Sequence, residues 1–317
     1  MGSFPSTLTN VPSYWPTVSF SLLLLGQILS IPCYFFVGYH IIFEKSARKA
    51  LHNHVIIILL FYNFLGITFD LSLTLDFDRV GYVSLFSPTL CHFWQLVDNG
   101  IWYGGIYLMM WASFERHILV FHSNFVRTKR QLLLIHYIPL IFFALYAPLL
   151  YIYLIFFYPC DEDFDSTVDL CGGMCFYATI PNWFLVYDSF VDYTIPILLI
   201  VVFSITLLLR FIRQKQRLQQ AVTWRQCRKM TIQLTLVSAT YLMFDLPYVI
   251  IFLVQTCGYP DFGSNVIMPY IGDLTFVPAI VLPYATLMAL PGLKPKLHNL
   301  FFWKRHQRQI VPLTTRT

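Results

Sequence analysis

The chain has 317 residues, of which 57% are hydrophobic and 18% aromatic, while only 12% are charged. A soluble domain carries about twice that share of charged side chains, so the composition excludes an ordinary globular protein. The net charge of +5 does not indicate a nucleic-acid partner, because the basic residues fall at particular junctions between apolar stretches. The composition therefore predicts a polytopic membrane protein.

Seven apolar stretches predict an all-α membrane protein, a bundle of seven transmembrane helices. Residues 1–16 are expected to form an extracellular tail, residues 17–292 the membrane domain, and residues 293–317 a short amphipathic helix with a basic tail. No basic start or small-residue cleavage site marks the first stretch as a signal peptide. The predicted spans cover residues 18–43, 53–75, 89–121 and 132–158, a fifth ending at 210, a sixth that begins after Lys229 and ends near 256, and 266–290.

The basic residues predict the orientation of these spans. Arg79 is the only one of 21 Lys and Arg residues that falls on the side opposite to the others. Because basic residues are retained on the cytoplasmic side, the N-terminus is predicted outside and the C-terminus inside. The basic inner loops would also bind anionic membrane lipids.

The third span carries the most informative pattern. Cys91 opens it, Asp98 is the only charged residue between residues 80 and 114, and Glu115-Arg116-His117 closes it. This spacing resembles the third helix of rhodopsin-like G-protein-coupled receptors. Prolines 196, 247 and 283 resemble the landmark prolines of the fifth, sixth and seventh helices of that family.

The resemblance implies a receptor in the plasma membrane with an extracellular ligand and a heterotrimeric G protein as partners. In the family, the triplet that Glu115, Arg116 and His117 resemble contacts the G protein. The family also joins the outer end of the third helix to the loop before the fifth by a disulfide, which here implies Cys91. Both Cys171 and Cys175 are candidate partners; we favour Cys175, which leaves Cys160 to pair with Cys171, although spacing does not fix connectivity.

Several positions depart from the family pattern. Asp245 replaces the tryptophan of the sixth-helix motif, and Ser204 and Thr286 replace two tyrosines that accompany receptor activation. Asn63 and Gly105 stand where the family has sodium ligands, so we expect no sodium site. The region 266–293 contains no lysine, which excludes an opsin, and we expect neither a cofactor nor a metal.

Acidic residues within the spans predict the ligand site. No basic residue lies in an outer half to neutralise them, and charge in a membrane usually faces a cavity or a partner. A cationic amine or a basic peptide would suit such a pocket, with Trp102 among the aromatic residues that enclose it. Alternatively, some carboxyls are protonated and bonded between helices. The predicted ligand-binding residues are Asp98, Trp102, Asp188, Asp192, Asp245 and Asp273.

Two other functions remain open from the sequence. A seven-span scaffold that does not couple is consistent with the departures from the family pattern, and a proton-coupled transporter would use the intramembrane acids as a relay. We do not expect an enzyme, because no zinc-protease, nucleophile-elbow or phosphate-loop motif occurs.

Overall fold

A computed structural model describes residues 15–44, 48, 50–121, 128–215, 221–259, 261–263 and 271–289. Within this part of the chain, seven long helices form a bundle. They are α1 (Trp15–Phe43), α2 (51–80), α3 (88–121), α4 (129–156), α5 (182–215), α6 (Ala221–Thr256) and α7 (273–289).

Local sequence signals explain where several helices begin and end. At the start of α3, Ser87 Oγ accepts a hydrogen bond from the Leu90 amide at 3.2 Å, and Pro88 occupies the first turn. Thr128 and Gln131 form a reciprocal capping box at the start of α4. Helix α2 ends at Gly81, whose φ of 79° is readily adopted by glycine.

Five described helices are long and apolar enough to cross a membrane, and α7 contains a shorter apolar helix, Asp273–Met288. The five are Thr17–Phe43, Asn53–Val80, Lys129–Phe156, Trp183–Arg210 and Thr235–Thr256. Helix α3 contains more polar residues but, at 1.5 Å per residue, extends about 50 Å. The fold is therefore that of a multi-pass, all-helical membrane protein.

Helix α3 packs against α2, α4 and α5, while α7 packs against α1 and α6. Two glycines permit a close approach between α3 and its neighbours. A Cβ atom at Gly104 would lie 2.5 Å from Cε1 of Tyr62 on α2, and one at Gly100 would lie 3.4 Å from Cα of Pro148 on α4. Gly100 and Gly104 thus form the small-residue contact that membrane helices use to pack closely.

Within the described residues, α2, α3, α4 and α5 each contain a π-helical segment, in which the wider turn changes the direction of the following side chains. These segments are Gly66–Asp70 in α2, Leu96–Ile101 in α3, Leu133–Tyr137 in α4 and Asp188–Thr194 in α5. Each contains an ionisable residue that is buried or half-buried, namely Asp70, Asp98, His136 and the Asp188–Asp192 pair. The irregular turns therefore coincide with the polar groups inside the bundle.

The predicted span boundaries differ from the helix boundaries mainly at the polar ends. Helix α2 continues to Val80, beyond the predicted end at residue 75, and α6 begins at Ala221 rather than after Lys229. Hydropathy detects the apolar part of a helix, whereas backbone hydrogen bonding continues into polar sequence. Helix α1 begins at Trp15, inside the predicted tail of residues 1–16. Residues 1–14 of that tail, the start of the seventh span and the predicted amphipathic helix lie outside the described residues.

The disulfide pairing corrects the arrangement that we favoured from the sequence. Cys91 pairs with Cys171 and Cys160 pairs with Cys175, with Cα separations of 5.7 and 5.9 Å. The backbone turns back at Leu170 and Cys171, where φ is 54° and 60°, and this turn buries Cys171 beside Cys91. Cys175 instead begins a short helix leading towards α5, so nearness to α5 along the chain was the wrong criterion.

Candidate functional site

A cavity lies between α2, α3, α6 and α7. Its empty volume is about 440 Å³, open solvent included. Asp70 is among its lining residues, and the Oδ1 atom of Asp70 accepts a hydrogen bond from Trp94 Nε1 at 3.0 Å. The other described lining residues are Tyr62, Asn63, Gly66, Ile101, Trp102, Gly105, Tyr241, Thr275, Phe276, Pro278 and Ala279.

Asp98 and Trp102 lie one turn apart on α3, but they have different surroundings. Asp98 is half-buried in the π-helical segment. Its carboxylate accepts a hydrogen bond of 2.9 Å from the side-chain amide of the adjacent Asn99. Trp102 lines the cavity, and its ring lies 5.1 Å from the ring centroids of both Tyr103 and Tyr193. Asp98 is not among the described lining residues of the cavity.

The two acids of α5 are held by tyrosine hydroxyl groups. Tyr151 on α4 and Tyr177 in the outer loop donate to the two oxygens of Asp188 at 2.5 and 3.0 Å. Both acids are almost completely buried, with exposed fractions of 2% for Asp188 and 0% for Asp192. These hydrogen bonds connect α5 to α4 and the loop.

Asp192 also accepts hydrogen bonds from tyrosine hydroxyl groups. Tyr107 on α3 and Tyr146 on α4 donate to its Oδ1 at 2.7 and 3.0 Å, and Tyr146 also bonds to Tyr187. The second carboxylate oxygen of Asp192 is buried without a hydrogen-bond partner among the described residues. The α5 acids therefore belong to a tyrosine network between α3, α4 and α5, separate from the cavity.

The acids of α6 and α7 occupy two further environments. Asp245 is fully buried, and neither of its carboxylate oxygens has a hydrogen-bond partner in the described part of the protein. Asp273 accepts a hydrogen bond from Ser19 on α1. The structure thus distributes the six predicted ligand-binding residues over several environments instead of gathering them around one pocket.

Towards the C-terminal end of α3, Glu115 and Arg116 are both buried, each with an exposed fraction of 2%. Glu115 pairs with Nδ1 of His136 on α4. The His117 ring bonds to α5 through Nε2, which lies 2.8 Å from the Phe203 carbonyl oxygen and 3.0 Å from the Thr206 hydroxyl. The three residues of the triplet are therefore placed where α3 meets α4 and α5.

The acidic loop between α4 and α5 contains two carboxyls whose pKa values shift in opposite directions. Hydrogen bonds from the side chain and backbone of Thr167 lower the pKa of Asp165. Burial raises the pKa of Glu162, which lies 3.0 Å from the sulfur of Cys175. Because Cys160 and Cys175 form a disulfide, the cluster that they make with Glu162 does not offer thiolate ligands to a metal.

The hydrogen-bond partners of the buried acids were not predicted from the sequence. No role was assigned to Tyr107, Tyr146 and Tyr151, or to the histidines His54 and His136. A signal was present, since a chain with 20 tyrosines and no cation in its outer halves must satisfy its buried carboxylates with neutral donors. Helical periodicity alone would not have shown which tyrosine meets which acid.

The motif pattern of the family described as 7 transmembrane receptor (rhodopsin family) matches residues 34–283, which is well over half of the chain. A search of curated proteins finds no match. The matched region begins in α1 and ends in α7, and so includes the cavity, the tyrosine network and the inner end of α3. The chain belongs to the rhodopsin family of seven-transmembrane receptors.

Proposed function

We propose that this receptor binds an extracellular cationic ligand, an amine or a basic peptide, at Asp98 and Trp102 on α3. The observation that carries the proposal is the difference between Asp98 and the α5 acids. Asp188 and Asp192 accept hydrogen bonds from tyrosines of other helices, whereas Asp98 accepts a hydrogen bond from the side chain of the adjacent Asn99. Among the described residues, no lysine or arginine forms an ion pair with Asp98.

Aromatic rings near Asp98 support a cationic ligand. Trp102 and Tyr103 follow Asp98 on α3, and Tyr193 of α5 packs against both rings. An aromatic face attracts a cation, and the attraction is stronger where water is excluded. The excess of acids in the loop before α5 would also raise the local concentration of cations. Asp245 and Asp273 are further candidate contacts for a ligand that extends towards α6 and α7.

The same proposal includes coupling to a heterotrimeric G protein through Glu115, Arg116 and His117. The triplet lies where α3 meets two other helices, so a change in helix packing would alter the surface around it. A ligand bound at Asp98 and a G protein bound at Arg116 would both favour one arrangement of the bundle.

The experiment measures G-protein activation in cells while biogenic amines and short basic peptides are applied. We expect Asp98→Asn to raise the half-maximal concentration of an active ligand about 10- to 100-fold, which corresponds to losing one charge-assisted contact. Arg116→Ala should abolish the response, while the ligand affinity measured in the absence of G protein stays unchanged. Asp161→Asn is the matched control, because it removes the same charge from an exposed loop position.

The outcomes separate the two parts of the proposal. A response with unchanged potency in Asp98→Asn would place the ligand elsewhere and leave coupling intact. A full response in Arg116→Ala, at equal surface expression, would reject the coupling role of Arg116.

We also propose that the receptor lies in the plasma membrane with its N-terminus outside and its C-terminus inside. The support is the distribution of basic residues, of which only Arg79 falls at an outer junction. An epitope tag at the N-terminus should bind antibody on intact cells, and a tag at the C-terminus should need permeabilised cells. Labelling of the C-terminal tag on intact cells would contradict this orientation.

A further inference from the structure

Three polar groups form a continuous hydrogen-bonded chain across the inner ends of α2, α3 and α4. Glu115 of α3 bonds to Nδ1 of His136 on α4. Nε2 of His136 lies 3.0 Å from Nδ1 of His54 on α2, and Nε2 of His54 lies 3.0 Å from the carbonyl oxygen of Arg48. Glu115 and His136 are buried, whereas His54 is half-buried.

The chemistry of the end groups determines how many protons this chain needs. The Arg48 carbonyl can only accept, so Nε2 of His54 must carry a proton. Each of the two remaining contacts, His54 to His136 and His136 to Glu115, also needs one proton between its heavy atoms. The three hydrogen bonds therefore require three protons.

Two neutral imidazoles and an ionised carboxylate supply only two protons. The complete chain consequently holds one additional proton, either on a histidine paired with the Glu115 carboxylate or on Glu115 itself. In both cases the chain has no net charge. Loss of that proton would break one of the three bonds and leave a largely buried polar group without its hydrogen-bond partner, which is unfavourable.

We propose that Glu115, His136 and His54 form a proton-binding site that joins α2, α3 and α4, so that the stability of the receptor depends on cytoplasmic pH. The site takes up one proton when the chain forms and releases it when these helices separate. It goes beyond the proposed ligand and G-protein functions and depends on neither.

The surroundings of the site contain other groups that influence its charge. The ring of Tyr137 packs against both histidines, at centroid distances of 4.7 and 6.0 Å. Arg116 follows Glu115 on α3, and Arg48 precedes α2. Lys129 and Arg130 begin α4. These groups remain in place in the variants below, so a comparison between variants isolates the additional proton.

The test is equilibrium unfolding of the full-length receptor in lipid–detergent micelles between pH 7 and 8. In this range an exposed histidine is mostly neutral and an exposed glutamate is ionised, so unfolding would release the additional proton. The sign follows from this release, since a proton bound only in the folded state stabilises it at lower pH. We expect the folded-to-unfolded equilibrium constant to fall up to ten-fold per pH unit, relative to a variant without the site.

Glu115→Gln is the decisive variant. Its amide can donate to Nδ1 of His136, after which both histidines donate from Nε2 and every bond is made without an additional proton. We therefore expect Glu115→Gln to remain folded and to lose the ten-fold dependence on pH. His54→Leu should also lose it, because His136 can then bond to Glu115 as a neutral ring. His92→Gln, at the outer end of α3, is the matched control and should keep the wild-type dependence.

Equal pH dependence in the wild type and Glu115→Gln would overturn the proposal. If Glu115→Gln does not fold, the same comparison is made with His54→Leu, and a wild-type slope in that variant would overturn it. The readout is unfolding and not signalling, so either result leaves the ligand and G-protein proposals to their own experiment.

Discussion

Hydrogen-bond partners distinguish six acids of the helices, namely Asp70, Asp98, Asp188, Asp192, Asp245 and Asp273. Asp192 is fixed by two tyrosine hydroxyl groups, and Asp70 by the indole of Trp94. A buried carboxylate with several donors contributes to stability, because removing one donor leaves the acid without compensation in a medium that lacks water. Asp98 is less enclosed, which makes it the better candidate for contact with a ligand.

Replacing Tyr107 with phenylalanine tests the tyrosine network. Tyr107→Phe removes the hydroxyl that donates to Asp192 at 2.7 Å and lies 2.9 Å from the Val191 carbonyl oxygen. We expect the free energy of unfolding in micelles to fall by about 1–3 kcal/mol, the cost of a buried donor that is lost. Tyr153→Phe on α4 is the control, since Tyr153 is 56% exposed. Equal stabilities for the two variants would show that the network does not support the fold.

At the scale of helices, α3 is positioned by small residues on one face and polar groups at both ends. Gly100 and Gly104 allow α2 and α4 to approach, and the bond from Tyr62 to the Ala144 carbonyl ties α2 to α4 beside them. The π-helical segments then turn polar side chains of α2, α3, α4 and α5 into the bundle. Close packing and irregular turns together set which polar groups meet.

Gly104→Ala should disturb this packing. The added methyl group would lie 2.5 Å from the Tyr62 ring, so either the ring or a helix must move. We expect the free energy of unfolding to fall by about 1–3 kcal/mol through overpacking. The matched control is Gly38→Ala in α1, where no atom lies within 4 Å of the added carbon and alanine favours the helix. A Gly104→Ala variant as stable as Gly38→Ala would contradict the close contact.

At the scale of the whole molecule, two disulfides constrain the loop before α5. The Cys91–Cys171 disulfide joins residues that are 80 positions apart and attaches the loop to α3. The Cys160–Cys175 disulfide joins residues that are 15 positions apart, both in the loop. A longer closed segment removes more conformational freedom from the unfolded chain. The first disulfide should therefore contribute more to stability.

Two double variants test both the pairing and its energy. Removing Cys91 and Cys171 together should lower the free energy of unfolding by about 4.5 kcal/mol, and removing Cys160 and Cys175 together by about 3 kcal/mol, on the chain-entropy estimate. Both double variants avoid an unpaired cysteine in the loop. Mass spectrometry of peptides from the unreduced receptor would identify the pairs directly, and a peptide joining Cys91 to Cys175 would refute the pairing.

The fold was predictable from the sequence because its main cause is local. A long apolar stretch in lipid must satisfy its backbone hydrogen bonds within itself, which requires a helix. The seven-helix architecture and the membership in the rhodopsin family were confirmed on that basis. The roles of Asp98, Trp102 and the Glu115-Arg116-His117 triplet stay predictions that the proposed experiments test.

Only the tertiary structure determines which side chains of different helices contact each other. The sequence alone determined the membrane class, the helices and the acids inside them, since these follow from composition and from periodicity along one segment. It did not determine that Tyr107 and Tyr146 hold Asp192, that His136 holds Glu115, or that Cys171 meets Cys91. Such pairs depend on helix rotation, π-helical turns and the path of a loop, which arise only when all seven helices pack together.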